Sequence, residues 1–422
     1  MRSDLPVIIV GSGPVGLAAA AHLVKYKIPF LILEKGEEAG SNIREWKHVR
    51  LFSTWEYNID QAAKELLELH GWQEPDKKKL PTGGDLLAEY LQPLADLPEI
   101  APSIVYGAEV TAITRDGADK LKTAGREELP FLIYARSKET ITTYRAQAVI
   151  DASGTWQNPS PPSSDGIWQE KLDVHTIIPS AMKEIDTLKN KHIAVIGSGH
   201  SALQTLIELA QIKKVHTETA ITWLLRRETP VSVFGGKELD QLTGRGALGM
   251  HAESLIENGL VNVVTGFHTD EISNQHNGFR ITSLSGKAIE VDEIYVNTGA
   301  RPDFSFLREI RYQIDPAVES TPALAPLIDP NLHSCGTVRP HGERELRQPE
   351  PNFYIAGVKS YGRAPTFLLA TGYEQVRSIA AMLAGDKESA EQVKLSLPET
   401  GVCSTDHPPV QTSCRVKGSC TC

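Results

Sequence analysis

Cysteine is scarce in this chain. There are five in 422 residues: Cys335, and four (Cys403, Cys414, Cys420, Cys422) within the last twenty positions. That is too sparse for a disulfide framework, and it leaves residues 1–334 without a thiol or a C-x-x-C redox pair. Basic charge is in deficit. With 43 Lys and Arg against 53 Asp and Glu, the net charge is −10. This argues against nucleic acid as a partner, because binding phosphates needs cations. No run approaches the ~18 consecutive apolar residues of a membrane span, so no membrane partner is expected. The apolar stretch 14–24 follows a strand and a Gly-rich turn, with no basic leader and no small-residue cleavage site, so it does not read as a signal peptide. The body of the chain is expected to be a reduced, cytoplasmic protein.

What is present suits a large folded chain. Hydrophobic residues make up 41% and charged residues 23%, which excludes global disorder. At ~150 residues per domain, two or three units are expected.

The β-branched run Pro6 to Val10 reads as a buried parallel strand. Gly11-Ser12-Gly13-Pro14-Val15-Gly16 follows, then the helix former LAAAAHLVKY, then a second strand ending at Glu34. Gly16 and Glu34 are 18 residues apart, close to the ~20 of a dinucleotide fingerprint. Gly11 permits the tight turn, Gly13 lets backbone approach a pyrophosphate, and Gly16 lets the helix pack on the strand. The helix N-terminus after Pro14 offers free N–H groups to phosphate. Glu34 accepts from a ribose diol, and Lys35 stands beside it.

The pattern recurs. The strand His192 to Ile196 leads into Gly197-Ser198-Gly199-His200-Ser201-Ala202, a helix, and the strand AITWLL. That strand ends in Arg226-Arg227 rather than an acid. An acid there would repel a 2′-phosphate, whereas an arginine pair grips it, so the second site reads as one for NADPH. The competing reading is two solvated arginines. Two dinucleotide units in one chain indicate an electron relay, with FAD as the bound carrier and NADPH as the diffusible hydride donor.

This order, with the nicotinamide motif inserted after the flavin motif, resembles the two-dinucleotide-binding-domain flavoproteins. These include the pyridine nucleotide–disulfide reductases and the flavin-containing monooxygenases. The resemblance implies an α/β fold of two Rossmann-like domains of three-layer ββα type. Residues 1–158 with 310–393 would form a discontinuous FAD domain, residues 159–309 the NADPH domain, and 394–422 a flexible Cys-rich tail. The runs Val149 to Thr155 and Val296 to Pro302 look like the strand exits of the two domains, placing Gly154 and Gly299 at cofactors. Gly357 after the late strand plays the same part, and a helix over roughly residues 371–383 would point its N-terminus at the flavin. A small antiparallel meander is expected between Ile104 and Tyr144. The polar loop from Thr337 to Pro351 is expected at the surface.

Where the reductases often have Gly-Asp, this chain has Gly357-Val358-Lys359, so Lys359 is expected near the flavin in place of the acid. The missing C-x-x-C disfavours disulfide reduction of that type. Pro81-Thr82-Gly83 and the Gly197 to Ala202 turn resemble the monooxygenases, while their histidine fingerprint is only partial around His175. Arg44 to Ser53, Lys359 to Thr371 and Pro398 to Cys403 look like a branch associated with arsenic resistance.

The resemblance implies that Arg44, Trp46 and Phe52 cross over the flavin, that Arg363 and Lys359 act beside it, and that His200 meets the NADPH pyrophosphate or amide. The leading expectation is NADPH-driven oxygenation of a soft nucleophile, a thiol compound or a trivalent arsenical, by O2 through a flavin C4a-(hydro)peroxide. The alternative is a thiol, disulfide or metal-ion reductase using tail cysteines, with Cys420 and Cys422 as candidate ligands of a thiophilic metal. A third reading is a redox-responsive binding protein. Partners beyond small molecules are not expected, and dimers are usual in the superfamily, so a homodimer is the expected assembly.

Overall fold

The computed structural model describes residues 4–169, 172–333 and 338–395. All five cysteines lie outside these, so Cys420 and Cys422 as metal ligands, and the tail beyond residue 395, fall outside the described residues.

The strands run β1 Val7–Val10, β2 Phe30–Leu33, β3 Ile104–Val105, β4 Glu109–Arg115, β5 Phe131–Ser137, β6 Thr140–Ala146, β7 Ala148–Asp151 and β8 His192–Ile196. They continue as β9 Ala220–Leu224, β10 Asn262–Val264, β11 Thr269–Gln275, β12 Gly278–Ser283, β13 Ala288–Val291, β14 Glu293–Val296 and β15 Phe353–Ile355. A parallel five-stranded sheet has the order β15-β7-β1-β2-β3. All four residues of β1 are buried, as a strand covered on both faces requires. Its alternate side chains serve two different cores. Val7 and Ile9 pack with the helices Pro14–Lys25 and Leu369–Leu383. Ile8 and Val10 pack against the antiparallel sheet β4-β5-β6.

The second unit repeats this design. Its parallel sheet has the order β10-β9-β8-β14. Ile193 and Val195 face the helices His200–Val215 and Thr243–Glu257, while Ala194 and Ile196 face the antiparallel sheet β11-β12-β13. Each unit therefore has helix, parallel-sheet and antiparallel-sheet layers, the expected ββα arrangement. Each fully buried Leu, Ile or Phe in these layers contributes ~1.5–3 kcal/mol. The meander comprises β4 to β6, whereas β3, placed within it by the sequence, joins the parallel sheet beside β2. Among the described residues no helix is long and apolar enough to cross a membrane.

The 337–351 segment corrects the sequence reading. Its described part is not simply surface loop: His341, Glu343, Gln348 and Glu350 are buried. Glu350 accepts from Arg115 Nε at 2.8 Å and from Arg126 Nε and Nη2 at 3.1 Å. The two guanidiniums hold its carboxyl below the usual range against the opposing effect of burial. A charged segment enters the interior here because its partners, on β4 and just before β5, enter with it.

Candidate functional site

The two Gly-rich turns sit where parallel strands end and helices begin. Gly11 has φ +97°, left-handed backbone that favours glycine. A Cβ on Gly16 would come 2.0 Å from the Gly11 carbonyl oxygen, so this glycine is demanded by the helix's approach to the turn. At Gly13 an added Cβ would meet nothing within 4 Å; the backbone there opens onto a cleft. The helix beginning at Pro14 has Gly13 as its N-cap with no side-chain cap bond, which leaves N–H groups for a ligand.

The cleft has a volume of about 670 Å³, within the ~300–1,000 Å³ of ligand sites. Gly11, Gly13, Pro14, Glu34, Lys35, Trp46, Gly154 and Gly357 line it. Glu34 Oε2 accepts from Ser12 N and Oγ at 2.6 and 2.8 Å, and Oε1 accepts from Gly36 N at 2.7 Å. Three of its roughly four acceptor positions are engaged, leaving one for a ribose hydroxyl. Lys35 forms an ion pair with Glu109 at 2.9 Å. Phe367 and Leu369, at the start of the late helix, also border the cleft. This glycine-floored cradle fits a dinucleotide.

Other expected residues lie elsewhere. Arg44 is absent from the cleft lining and is held by Glu38 and by Gln92 Oε1. Phe52 does not border the cleft; its ring lies against that of His200, centroids 4.4 Å apart and planes tilted by 33°. Arg363 is exposed and does not line it either. Lys359 is buried behind the wall, its ammonium 2.7 Å from Asp151 Oδ2. Sequence reasoning missed Trp156, whose ring lies 6.3 Å from that of Trp46 and whose Nε1 donates to Glu45 at 2.8 Å. Two indoles and a carboxylate thus strap one end of the cleft. A tryptophan two residues after the Gly154 turn was the available signal.

The second turn has the same build. Gly197 has φ +138°, and a Cβ there would meet the Asn297 carbonyl oxygen at 2.1 Å. Trp223 Nε1 donates to the Gly197 carbonyl at 2.7 Å. Gly199 is the uncapped N-cap of the His200 helix and opens to free space. Ser198 and Ser201 are exposed beside it, and Gly299 has φ +92°. Desolvation, followed by the nearby Arg245 guanidinium, pushes the His200 imidazole down to about 4, so it is neutral at pH 7. Arg226 is exposed, and Arg227 Nη1 donates to Ser232 Oγ at 2.6 Å. Asn297 is 7% exposed, yet neither its amide nitrogen nor its oxygen has a partner. Such an orphan at a site marks a place for a ligand. His48 Nε2 donates to the carbonyls of Ile178 and Pro179, so residues 48–52 join the two units.

Residues 8–326 match the pyridine nucleotide-disulphide oxidoreductase family. The chain belongs to that family. It is therefore an enzyme of a two-Rossmann-domain flavoprotein fold. An uncharacterised oxidoreductase CzcO of Bacillus velezensis is 29% identical over 210 residues, 48% of this chain and 51% of the relative. The chain spans about half the length of the first curated relatives it matches. Among solved structures, bacillithiol disulfide reductase Bdr of Bacillus cereus superposes with a TM-score of 0.67 at 21% identity, covering 90% of this chain and 99% of that one. The cadaverine monooxygenase DfoA of Erwinia amylovora, bound to FAD, superposes with a TM-score of 0.64 at 12% identity, covering 94% and 98%. These likenesses establish the fold.

Proposed function

We propose that this chain is an FAD- and NADPH-dependent oxidoreductase of flavin-monooxygenase type, acting with O2 on a small soft nucleophile such as a thiol compound or a trivalent arsenical. The observation that carries the reading is a dinucleotide cleft in a chain whose first 334 residues contain no cysteine. No thiol from that stretch stands ready to take electrons from a flavin, which supports O2 as the acceptor. FAD in the cleft supplies a two-electron carrier between NADPH and O2. One oxygen atom goes to the substrate and the other leaves as water, with the hydride and a proton balancing the reduction.

The chain's own residues bind and orient. The Gly11–Gly16 turn and its helix N-terminus take the FAD pyrophosphate, and Glu34 takes the adenosine ribose. The Gly197–His200 turn takes the NADPH pyrophosphate, with Arg226 and Arg227 on the 2′-phosphate. Neutral His200 donates a single N–H there without adding charge. Trp46 and Trp156 exclude water from one end of the cleft. A cytoplasmic location and a homodimer complete the reading, resting on the scarce cysteine and on the family resemblance.

The test is aerobic turnover of purified holoenzyme with NADPH, ¹⁸O₂ and candidate thiols or arsenicals, with products read by mass spectrometry. One ¹⁸O in the product supports the proposal; NADPH oxidation that yields only hydrogen peroxide refutes it. A second reading, a reductase working through the tail thiols, is favoured by the likeness to the bacillithiol disulfide reductase. Truncation at residue 395 separates the two: a monooxygenase keeps its turnover, whereas a tail-dependent reductase loses it.

A further inference from the structure

After the late strand the chain reads Gly357-Val358-Lys359, and Lys359 carries a charge next to a loop that lines the cleft. Its ammonium is not in the cleft. It is 1% exposed and pairs with the wholly buried Asp151 at 2.7 Å. It also donates to Ser153 Oγ at 3.1 Å and lies 4.4 Å from the centre of the Phe306 ring. Asp151 ends β7, directly beside Ile355 of β15, and its carbonyl accepts from Ala356 N. Asp151 Oδ1 accepts from Ser153 N at 3.1 Å and from Ser153 Oγ at 2.7 Å. Ser153 lines the cleft.

This fixes the chemistry of one hydroxyl. A serine has one proton to donate and two acceptor positions. The Ser153 proton is committed to Asp151 and one acceptor position to Lys359. The position left can only accept. Its ligand must therefore donate, as an alcohol does and a phosphate at neutral pH does not.

The sheet says which part of the ligand that is. Crossing the strand ends in order, Glu34 follows β2, Gly11 and Gly13 follow β1, Ser153 follows β7 and Gly357 follows β15. An adenosine ribose at Glu34 and a pyrophosphate at β1 put Ser153 on the far side of the pyrophosphate from adenosine. In FAD that is the polyhydroxylated ribityl chain.

We propose that Ser153 is the acceptor for a ribityl hydroxyl of FAD and that Asp151 and Lys359 are its positioning residues. The buried pair does from behind the wall what a carboxylate in the cleft would do directly. It also ties together two loops more than two hundred residues apart in the chain. The inference rests on the FAD reading of the cleft.

The test titrates flavin-stripped full-length protein with FAD, followed by quenching of flavin fluorescence, and with ADP, which carries the adenosine and pyrophosphate but no ribityl chain. Ser153→Ala should weaken FAD about fivefold, the scale of one neutral hydrogen bond, and leave ADP unchanged. Lys359→Met alone strands a buried carboxylate and should destabilise the fold, so the informative variant is the double exchange Asp151→Leu with Lys359→Met. Removing both charges should keep the thermal midpoint at or above the wild type's, yet weaken FAD about as much as Ser153→Ala does. Equal FAD affinity in the wild type and both variants would overturn the inference and leave the cofactor reading standing. Parallel loss of ADP would overturn it too, since the cleft as a whole would have changed. Wild-type protein that binds ADP but not FAD would instead sink the cofactor reading.

Discussion

His200 gives the sharpest pH prediction. Its imidazole is pushed from 6.5 to about 4 by desolvation, with a smaller contribution from Arg245. The Phe52 ring lies against it at 4.4 Å. A fall from 6.5 to about 4 corresponds to ~3 kcal/mol of preference for the neutral ring. The folded value lies below the unfolded one, so between about pH 4 and 6.5 the unfolded chain holds the extra proton. This contribution to stability is therefore complete above pH 6.5 and is lost as the pH falls towards 4. Phe52→Ala admits water to the ring and should move the titration upward. The assay is a ¹³C-histidine NMR titration of the full chain, with the His200 resonance assigned by its disappearance in His200→Gln. Unfolding as a function of pH is a secondary readout, since two units need not unfold as one transition. A wild-type His200 that titrates near 6.5, or a Phe52→Ala protein whose His200 does not move, would refute the account of desolvation by the Phe52 segment.

Other consequences follow from the same kind of geometry. Glu350→Gln removes the carboxylate shared by Arg115 and Arg126, and leaving buried guanidiniums uncompensated should cost ~3–5 kcal/mol, read as a lower urea midpoint of the FAD-binding unit. The double exchange Arg226→Ala with Arg227→Ala should lower kcat/KM for NADPH about 10- to 100-fold, the scale of one or two charge-assisted hydrogen bonds, and leave NADH nearly unaffected. An unchanged NADPH preference would place 2′-phosphate recognition elsewhere. Asn297→Leu replaces a carboxamide with no partner for either atom. It should raise the thermal midpoint of the ligand-free protein while weakening NADP⁺ binding; unchanged NADP⁺ affinity would show that the orphaned amide does not serve the cofactor.

What was legible in the sequence was local. Gly11, Gly16 and Gly197 are readable because a positive φ or a 2 Å approach by another backbone restricts the position to glycine whatever surrounds it. Strands such as His192–Ile196 are readable because a strand covered on both faces must be apolar where it is buried, and here only the half-buried first residue, His192, is polar. Glu34 is readable because it ends such a strand. The polar interior was not legible. The 337–351 segment, judged by its composition, looks like surface, and only the arrival of Arg115 and Arg126 from far upstream allows Glu350 to be buried. Composition reports the cost of burying a charge but not whether a partner arrives to offset it.

Lys359 illustrates the same gap at the site. The resemblance places Lys359 near the flavin, where related reductases often have an acid. The fold turned it inward because Asp151, on the neighbouring strand, ends in register beside β15. A side chain's face is decided by which neighbour satisfies it, and that neighbour is 208 residues away. The same logic explains why Phe52 and His200 were both picked out for cofactors and yet meet each other. One follows the first nucleotide turn and the other opens the helix of the second, and they meet at a contact that only the folded chain creates. Residues at the joint between two nucleotide units are thus the ones whose roles a linear reading assigns least well. They are also the ones whose replacement should alter how the two units communicate while leaving each intact.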